Sequence, residues 1–193
     1  MKLYLATSNP GKIKEFTGAG LDVSVLPGIK DVPLAPETGD TFEANAIQKA
    51  IYYGVFCDGA LIAEDSGLEV DALSGAPGIH SARWAGNDGA NNERLMHEME
   101  GQQNRTARYV CVIALVKNGS VLGTFRGTVE GEIIDEPRGS EGFGYDPYFL
   151  YPPFGKTFAE IPKDLKTGVS HRGAAIQQLI LWLRNNGATS DSQ

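Results

Sequence analysis

Ala60-Leu61-Ile62-Ala63-Glu64-Asp65-Ser66-Gly67 is the stretch on which the reading of this chain turns. Four small or apolar residues predict a short buried strand, with Glu64-Asp65 where it should end and Ser66-Gly67 turning the backbone sharply. Two adjacent carboxylates near a core need a cation or a proton to compensate them. Open α/β sheets bind ligands at the carboxyl ends of their strands. The segment therefore reads either as the edge of a ligand site or as a strand finishing in a solvated acidic turn.

Upstream, Asp40-Thr41-Phe42-Glu43 resembles a capping box opening a helix that carries Asn45, Ile47, Lys49, Ala50 and Ile51. Lys49 falls at the edge of the apolar face, where a lysine either snorkels to water or reaches a site. Glu37 lies in the irregular loop Lys30–Gly39, where a solvated acid is the default. Further upstream, Leu3 to Thr7 reads as a first strand, and Leu21 to Leu26 as a second. Between them, Thr7-Ser8-Asn9-Pro10-Gly11-Lys12 is a strand-to-helix turn, its helix striped by Ile13 and Phe16 and ended by Gly18 and Gly20. A helix start offers backbone N–H groups and its dipole to a phosphate, and Lys12 adds a full charge. It is not a P-loop, because Ala6 and Ile13 stand where that motif needs glycine and a hydroxyl residue. An ordinary capped helix is the alternative.

Downstream, a helix is expected from Asn91 to Glu100 and a strand covered on both faces from Tyr109 to Val116. Asn118-Gly119 is a type I′ hairpin signal leading to Val121–Arg126, with a further strand to Ile134. Gly139 to Pro147 sets three glycines around Phe143, Tyr145 and Asp146, a poor core segment but a good close approach to a flat ligand; a turn with both rings tucked inward is the alternative. Lys166, His171 and Arg172 come together at the start of the last helix, expected from about His171 to Arg184, where cations oppose the helix dipole unless an anion binds; a solvated cap is the alternative. Residues 188–193 read as a disordered tail.

Length and composition bound these readings. A chain of 193 residues with 41% apolar and 21% charged side chains can bury a sizeable core, as one large domain or two small lobes sharing a sheet. A net charge of −7 argues against broad nucleic-acid binding. No apolar run approaches the roughly 20 residues of a membrane span, so a soluble cytoplasmic protein is expected. Cys57 and Cys111 have no metal-type spacing and read as reduced core residues, and His80 and His97 as structural. Helices alternate with strands early and a hairpin intervenes later, which predicts an α/β fold with a mixed sheet.

Taken in order, Thr7–Lys12, Thr41-Phe-Glu-Ala-Asn-Ala46, Asp65-Ser-Gly-Leu68, Gly75-Ala-Pro-Gly78 with Ser81-Ala-Arg83, Gly142–Pro147 and Ser170-His-Arg-Gly173 resemble the inosine triphosphate pyrophosphatase family across nearly the whole chain. That resemblance implies one nucleoside-triphosphate pyrophosphatase domain over residues 1–193. A long central mixed sheet would be flanked by helices in two lobes, with the active-site cleft between them. It implies a homodimer that hydrolyses deaminated purine nucleoside triphosphates (ITP, dITP, XTP) to the monophosphate and pyrophosphate, cleansing the nucleotide pool.

In roles, the resemblance implies that Thr7, Ser8, Asn9, Pro10, Gly11 and Lys12 hold the triphosphate, helped by Lys49. Glu37 and Asp65 would bind Mg2+, with Asp65 also the base and Glu64 a helper. Ser66, Phe143, Gly144, Tyr145, Asp146, Lys166, His171 and Arg172 would hold the nucleoside. Leu165 and Ala174 depart from the family's usual polar residues, which touches fine specificity rather than the reaction. Rival readings are a related Maf-like pyrophosphatase, which should lack the Ser-His-Arg-Gly helix start, and a nucleotide sensor without turnover, against which the acids Glu37, Glu64 and Asp65 speak.

Overall fold

The computed structural model describes residues 2–187; the expected tail at 188–193 lies outside them. Seven strands form one mixed sheet in the order β2-β1-β3-β4-β5-β6-β7. β1 (Leu3–Leu5) pairs in parallel with β2 (Ser24–Val25) and with β3 (Ala60–Val70), while β6 (Phe149–Tyr151) pairs antiparallel with β5 (Ser120–Ile133) and β7 (Lys156–Thr157). β4 (Thr106–Lys117) joins β5 through Asn118-Gly119, both at positive φ (51° and 76°) as a two-residue hairpin demands. The α/β class and the mixed sheet follow the sequence reading. No helix among the described residues is long and apolar enough to cross a membrane.

Several boundaries differ. β3 does not end at Glu64; it runs through the acids, Ser66 and Gly67 to Val70, and Leu68 and Val70 are as buried as Leu61 and Ile62. A strand covered on both faces holds its course, and the acids are compensated by side-chain cations rather than by reaching a wet strand end. β1 stops at Leu5 rather than Thr7, and the second strand shrinks from 21–26 to Ser24–Val25, because so short a β1 offers only Tyr4 and Leu5 as partners.

α2 (Phe42–Gly54) is capped by Thr41, whose hydroxyl accepts from Ala44 N–H, so Glu43 falls one place short of a capping box and accepts from Thr124 Oγ1 instead (2.6 Å). α3 (Asp88–Glu98) begins three residues before the expected Asn91, because Asn87 caps it. α5 (His171–Gly187) continues past Arg184. β6, β7 and the short helix α4 (Lys163–Val169) carried too few residues for a pattern.

The chain divides into two compact units. One comprises the described residues of Met1–Asp65, Cys111–Gly127 and His171–Gln193. Its core sets Leu3, Leu5, Ile62, Ile113 and Leu115 of the sheet against Phe16 of α1 (Pro10–Gly18) and Ile176 and Leu179 of α5. Cys57 and Cys111 are free thiols there, Cys111 buried. The other unit, Ser66–Val110 with Thr128–Ser170, packs Leu68, Val70 and Leu95 with an aromatic cluster. In it Tyr109 stacks on Phe158, centroids 5.7 Å apart, and meets Phe149 at 4.6 Å.

Candidate active site

Successive side chains of a strand point to opposite faces, so β3 parts its two adjacent acids. Glu64 shares the Ile62 face and meets α1 and α5: Lys12 Nζ pairs with it closely, and Arg172 stands 3.6 Å away. Arg172, only 2% exposed, also donates to Glu15 at 2.6 Å. Asp65 shares the face of Leu61 and Ala63 and meets α2, accepting from Lys49 Nζ at 2.7 Å and from Asn45 Nδ2 at 3.2 Å. Lys49 also donates to Glu37 at 2.8 Å, drawing the loop acid to the same ammonium. Lys49 is thus no solvated snorkel.

Burial alone would raise the Glu64 pKa, but the charges of Lys12 and Arg172 outweigh it and hold this carboxylate well below the usual range. Asp65 moves the other way: burial, with the negative charges of Glu64 and Glu37, prevails over Lys49 and raises it. Lys49 is opposed by burial yet raised by Asp65 and Glu37, so it stays charged.

Thr7, Ser8, Lys12, Glu37, Lys49 and Glu64 line one cavity of about 240 Å3, together with Ile29, Leu34 and Tyr53. It opens at the carboxyl end of parallel strand β1, where Ala6 leaves the sheet. The expectation of free N–H groups at the start of α1 needs correction: Asn9 Oδ1 already accepts from Gly11 N (2.8 Å) and Lys12 N (3.2 Å), and Pro10 has no N–H. The side chains of Thr7, Ser8 and Lys12 therefore carry the polar lining of this turn.

In the second unit, Asp146 is 3% exposed and accepts from Lys166 Nζ (2.5 Å), Phe143 N (2.9 Å) and the Tyr109 hydroxyl (3.3 Å). Gly142, at φ +79°, lies so close that a Cβ would strike the Asp146 carboxylate. Phe143 stays 44% exposed with Lys166 Nζ 5.6 Å from its ring centre. Tyr145 is buried, its hydroxyl donating to Ser81 O at 2.8 Å, which removes it as a stacking surface. Lys166 thus belongs with Asp146, while His171 and Arg172 are buried at the start of α5. Ser66 is half-buried on β3, and Leu165 and Ala174 are exposed.

Sequence reasoning missed four supports. Asn45 and Glu15 hold Asp65 and Arg172, and Asp88 and Asn92 hold Gly144 by both backbone groups, Asp88 accepting from its N–H (2.9 Å) and Asn92 donating to its carbonyl (3.0 Å). Only the last pair left a signal, the four-residue spacing that puts both on one helix face.

Glu37 and Asp65, hard oxygen donors converging on one cationic point, fit Mg2+, which takes one or two carboxylates and completes its shell with phosphate oxygens and water. Among the described residues no three His, Cys, Asp or Glu side chains gather closely enough to hold an ion alone. The donor set fits an ion shared with a phosphate ligand rather than a protein cage.

A parallel β2-β1-β3 edge with a lysine-and-acid pocket at its carboxyl end defines an α/β protein in which paired lysines and carboxylates line one cavity. The chain belongs to the Ham1 family, whose profile matches residues 3–182. It is 50% identical over 186 residues to a dITP/XTP pyrophosphatase of Exiguobacterium, covering 93% of this chain and 95% of that one. A dITP/XTP pyrophosphatase of Listeria monocytogenes is 43% identical over 187 residues, covering 92% of each. The solved Ham1 protein of Staphylococcus aureus superposes with a TM-score of 0.87 at 40% identity, over 96% of this chain and 99% of that one.

Proposed function

We propose that this chain hydrolyses deaminated purine nucleoside triphosphates (ITP, dITP and XTP) to the monophosphate and pyrophosphate, using Mg2+, as a cytoplasmic homodimer that cleanses the nucleotide pool. The observation that carries this reading is the convergence of Glu37 and Asp65 on Lys49 in a unit whose cavity also presents Lys12, Thr7 and Ser8. The names of the relatives supply the substrate class.

Phosphoanhydride hydrolysis is mostly positioning and charge neutralisation. Lys12 and Lys49 rest on carboxylates in the free chain and can turn to phosphate oxygens when a triphosphate enters. Bound Mg2+ supplies charge neutralisation on the phosphate oxygens, and Glu37 and Asp65 would hold it. Asp65 orients the attacking water through a carboxylate oxygen; holding Mg2+ would depress its pKa, so positioning the water outweighs taking its proton. Phe143 offers the exposed ring on which a base can stack. Hypoxanthine and xanthine present an acceptor oxygen at purine position 6, where adenine presents a donor, and sites of that kind discriminate by roughly 10⁴ or more. The N–H groups of Phe143 and Gly144 are turned onto Asp146 and Asp88, so the donor meeting that oxygen comes from elsewhere.

The test gives purified protein ITP, XTP, ATP and GTP with Mg2+ and separates the products. ITP and XTP should yield monophosphate and pyrophosphate without a diphosphate, ATP and GTP far more slowly, and chelation should abolish turnover. Orthophosphate with a diphosphate product would contradict cleavage at the α phosphorus; binding without turnover would favour the sensor. Sedimentation at twice the monomer mass checks the dimer.

A further inference from the structure

Asn45 is fully buried, and its carboxamide touches two places at once. Its Oδ1 accepts from Gly39 N at 2.9 Å, and its Nδ2 donates to Asp65 Oδ2 at 3.2 Å. A backbone N–H can only donate, so the amide oxygen must face Gly39 and the nitrogen must face the carboxylate. The approach to Gly39 is close: a Cβ there would lie 2.7 Å from the Ala44 Cβ. Two residues before Gly39, Glu37 accepts from Lys49, whose second bond reaches the other oxygen of Asp65. Asn45 and Lys49 stand one helical turn apart on α2 and close a circuit with Gly39, Glu37 and Asp65.

We infer that Asn45 is a positioning residue for the hydrolysis, tying the loop that bears Glu37 to the strand that bears Asp65 so that both carboxylates converge on one point. This rests on the roles given above to Glu37 and Asp65. A buried asparagine that merely satisfied the Gly39 N–H would need only its oxygen. Here the nitrogen takes one carboxylate oxygen while Lys49 takes the other, so the Asp65 side chain is fixed in rotation as well as in place. Supports of this kind change rate or metal affinity by about 10- to 100-fold when lost.

The experiment uses Asn45→Asp, which keeps shape and the acceptor for Gly39 but sets an oxygen against Asp65. Gln48→Ala is the control, because Gln48 Oε1 accepts from Thr38 N (3.0 Å) and ties the same loop without touching Asp65. With ITP and Mg2+, kcat of Asn45→Asp should fall about 10- to 100-fold with KM within about threefold, and Gln48→Ala should keep the parental kcat. If Asn45→Asp does not fold, Asn45→Ser, neutral and smaller, should show the same split. Independently of turnover, the side-chain amide resonance of Asn45 in the parental protein should move when Mg2+ and inorganic pyrophosphate are added together, and that of Gln48 should not. Parental kcat in the Asn45 variants, an equal loss in Gln48→Ala, or an unmoved Asn45 resonance would each overturn the inference. A parental protein that hydrolyses none of the triphosphates while its Asn45 resonance moves would sink the proposed activity and the role in hydrolysis with it, leaving Asn45 as a support of two ion-binding carboxylates.

Discussion

Asp65 sits among more negative charge than positive, with Glu64 beside it and Glu37 across the shared Lys49. Burial, with the negative charges of Glu64 and Glu37, prevails over Lys49 and raises its pKa in the free chain. Asp65→Asn should lower turnover by at least about 10²-fold. Thermal stability should hold, because the buried charge that disappears offsets the donor-to-donor contact created with Asn45. Parental turnover at saturating Mg2+, followed by pyrophosphate release, would remove the assignment. Phe143 makes a cleaner contrast, since a ring 44% exposed contributes little to the core. Phe143→Ala should weaken nucleotide binding by about 1–3 kcal/mol, with inorganic triphosphate much less affected. Calorimetry with both ligands decides it, and equal losses would mean that the ring supports the fold instead.

One step up, the elements explain why these side chains are held ready. α3 grips Gly144 through Asp88 and Asn92, and Asp146 grips Phe143 N–H from the other side, so the segment carrying the exposed ring is pinned at two consecutive residues. Asp88→Ala removes one grip on an exposed helix start, and KM for ITP should rise about tenfold while the melting temperature barely moves. An unchanged KM for ITP would show that Asn92 and Asp146 suffice. This is also where the sequence was hardest to read. Burial on both faces was legible in the apolar runs of β3 and β4, and the acids, lysines and glycine-rich turn stood out by residue type. The continuation of β3 past Glu64 was not, because Ser66-Gly67 signals a turn unless both faces are covered, and that covering comes from residues such as Leu95 and Phe158, far away in the chain. The separation of Glu64 from Asp65 onto opposite faces follows from that same continuation. Asn9 was legible as a cap, yet what its capping withholds from a phosphate shows only once its side chain is placed.

At the scale of the molecule, the buried charges make folding stability depend on pH, and the two adjacent acids act with opposite signs. Glu64 has a folded pKa well below its unfolded value of 4.5, because Lys12 and Arg172 outweigh the effect of burial. Its contribution is complete above 4.5 and is lost as pH falls through the folded value, since the unfolded chain then binds the proton first. Asp65 has a folded pKa above its unfolded 3.8, so its burden is absent at low pH and appears as pH rises through that window. The loss of stability in acid therefore traces to Glu64 and not to its neighbour. Glu64→Gln takes the carboxylate from Lys12 and one of two carboxylate neighbours from Arg172, which should cost about 3 kcal/mol at pH 7. Urea unfolding from pH 7 down to pH 3 should show that deficit constant above about 4.5 and shrinking below it, as the unfolded parent takes up the proton first. For Asp65→Asn the difference should change the other way, the variant gaining on the parent as pH rises from about 3.8. A Glu64→Gln deficit constant across the range would mean that the loss comes from packing alone, and that Lys12 and Arg172 do not hold this carboxylate in its charged form.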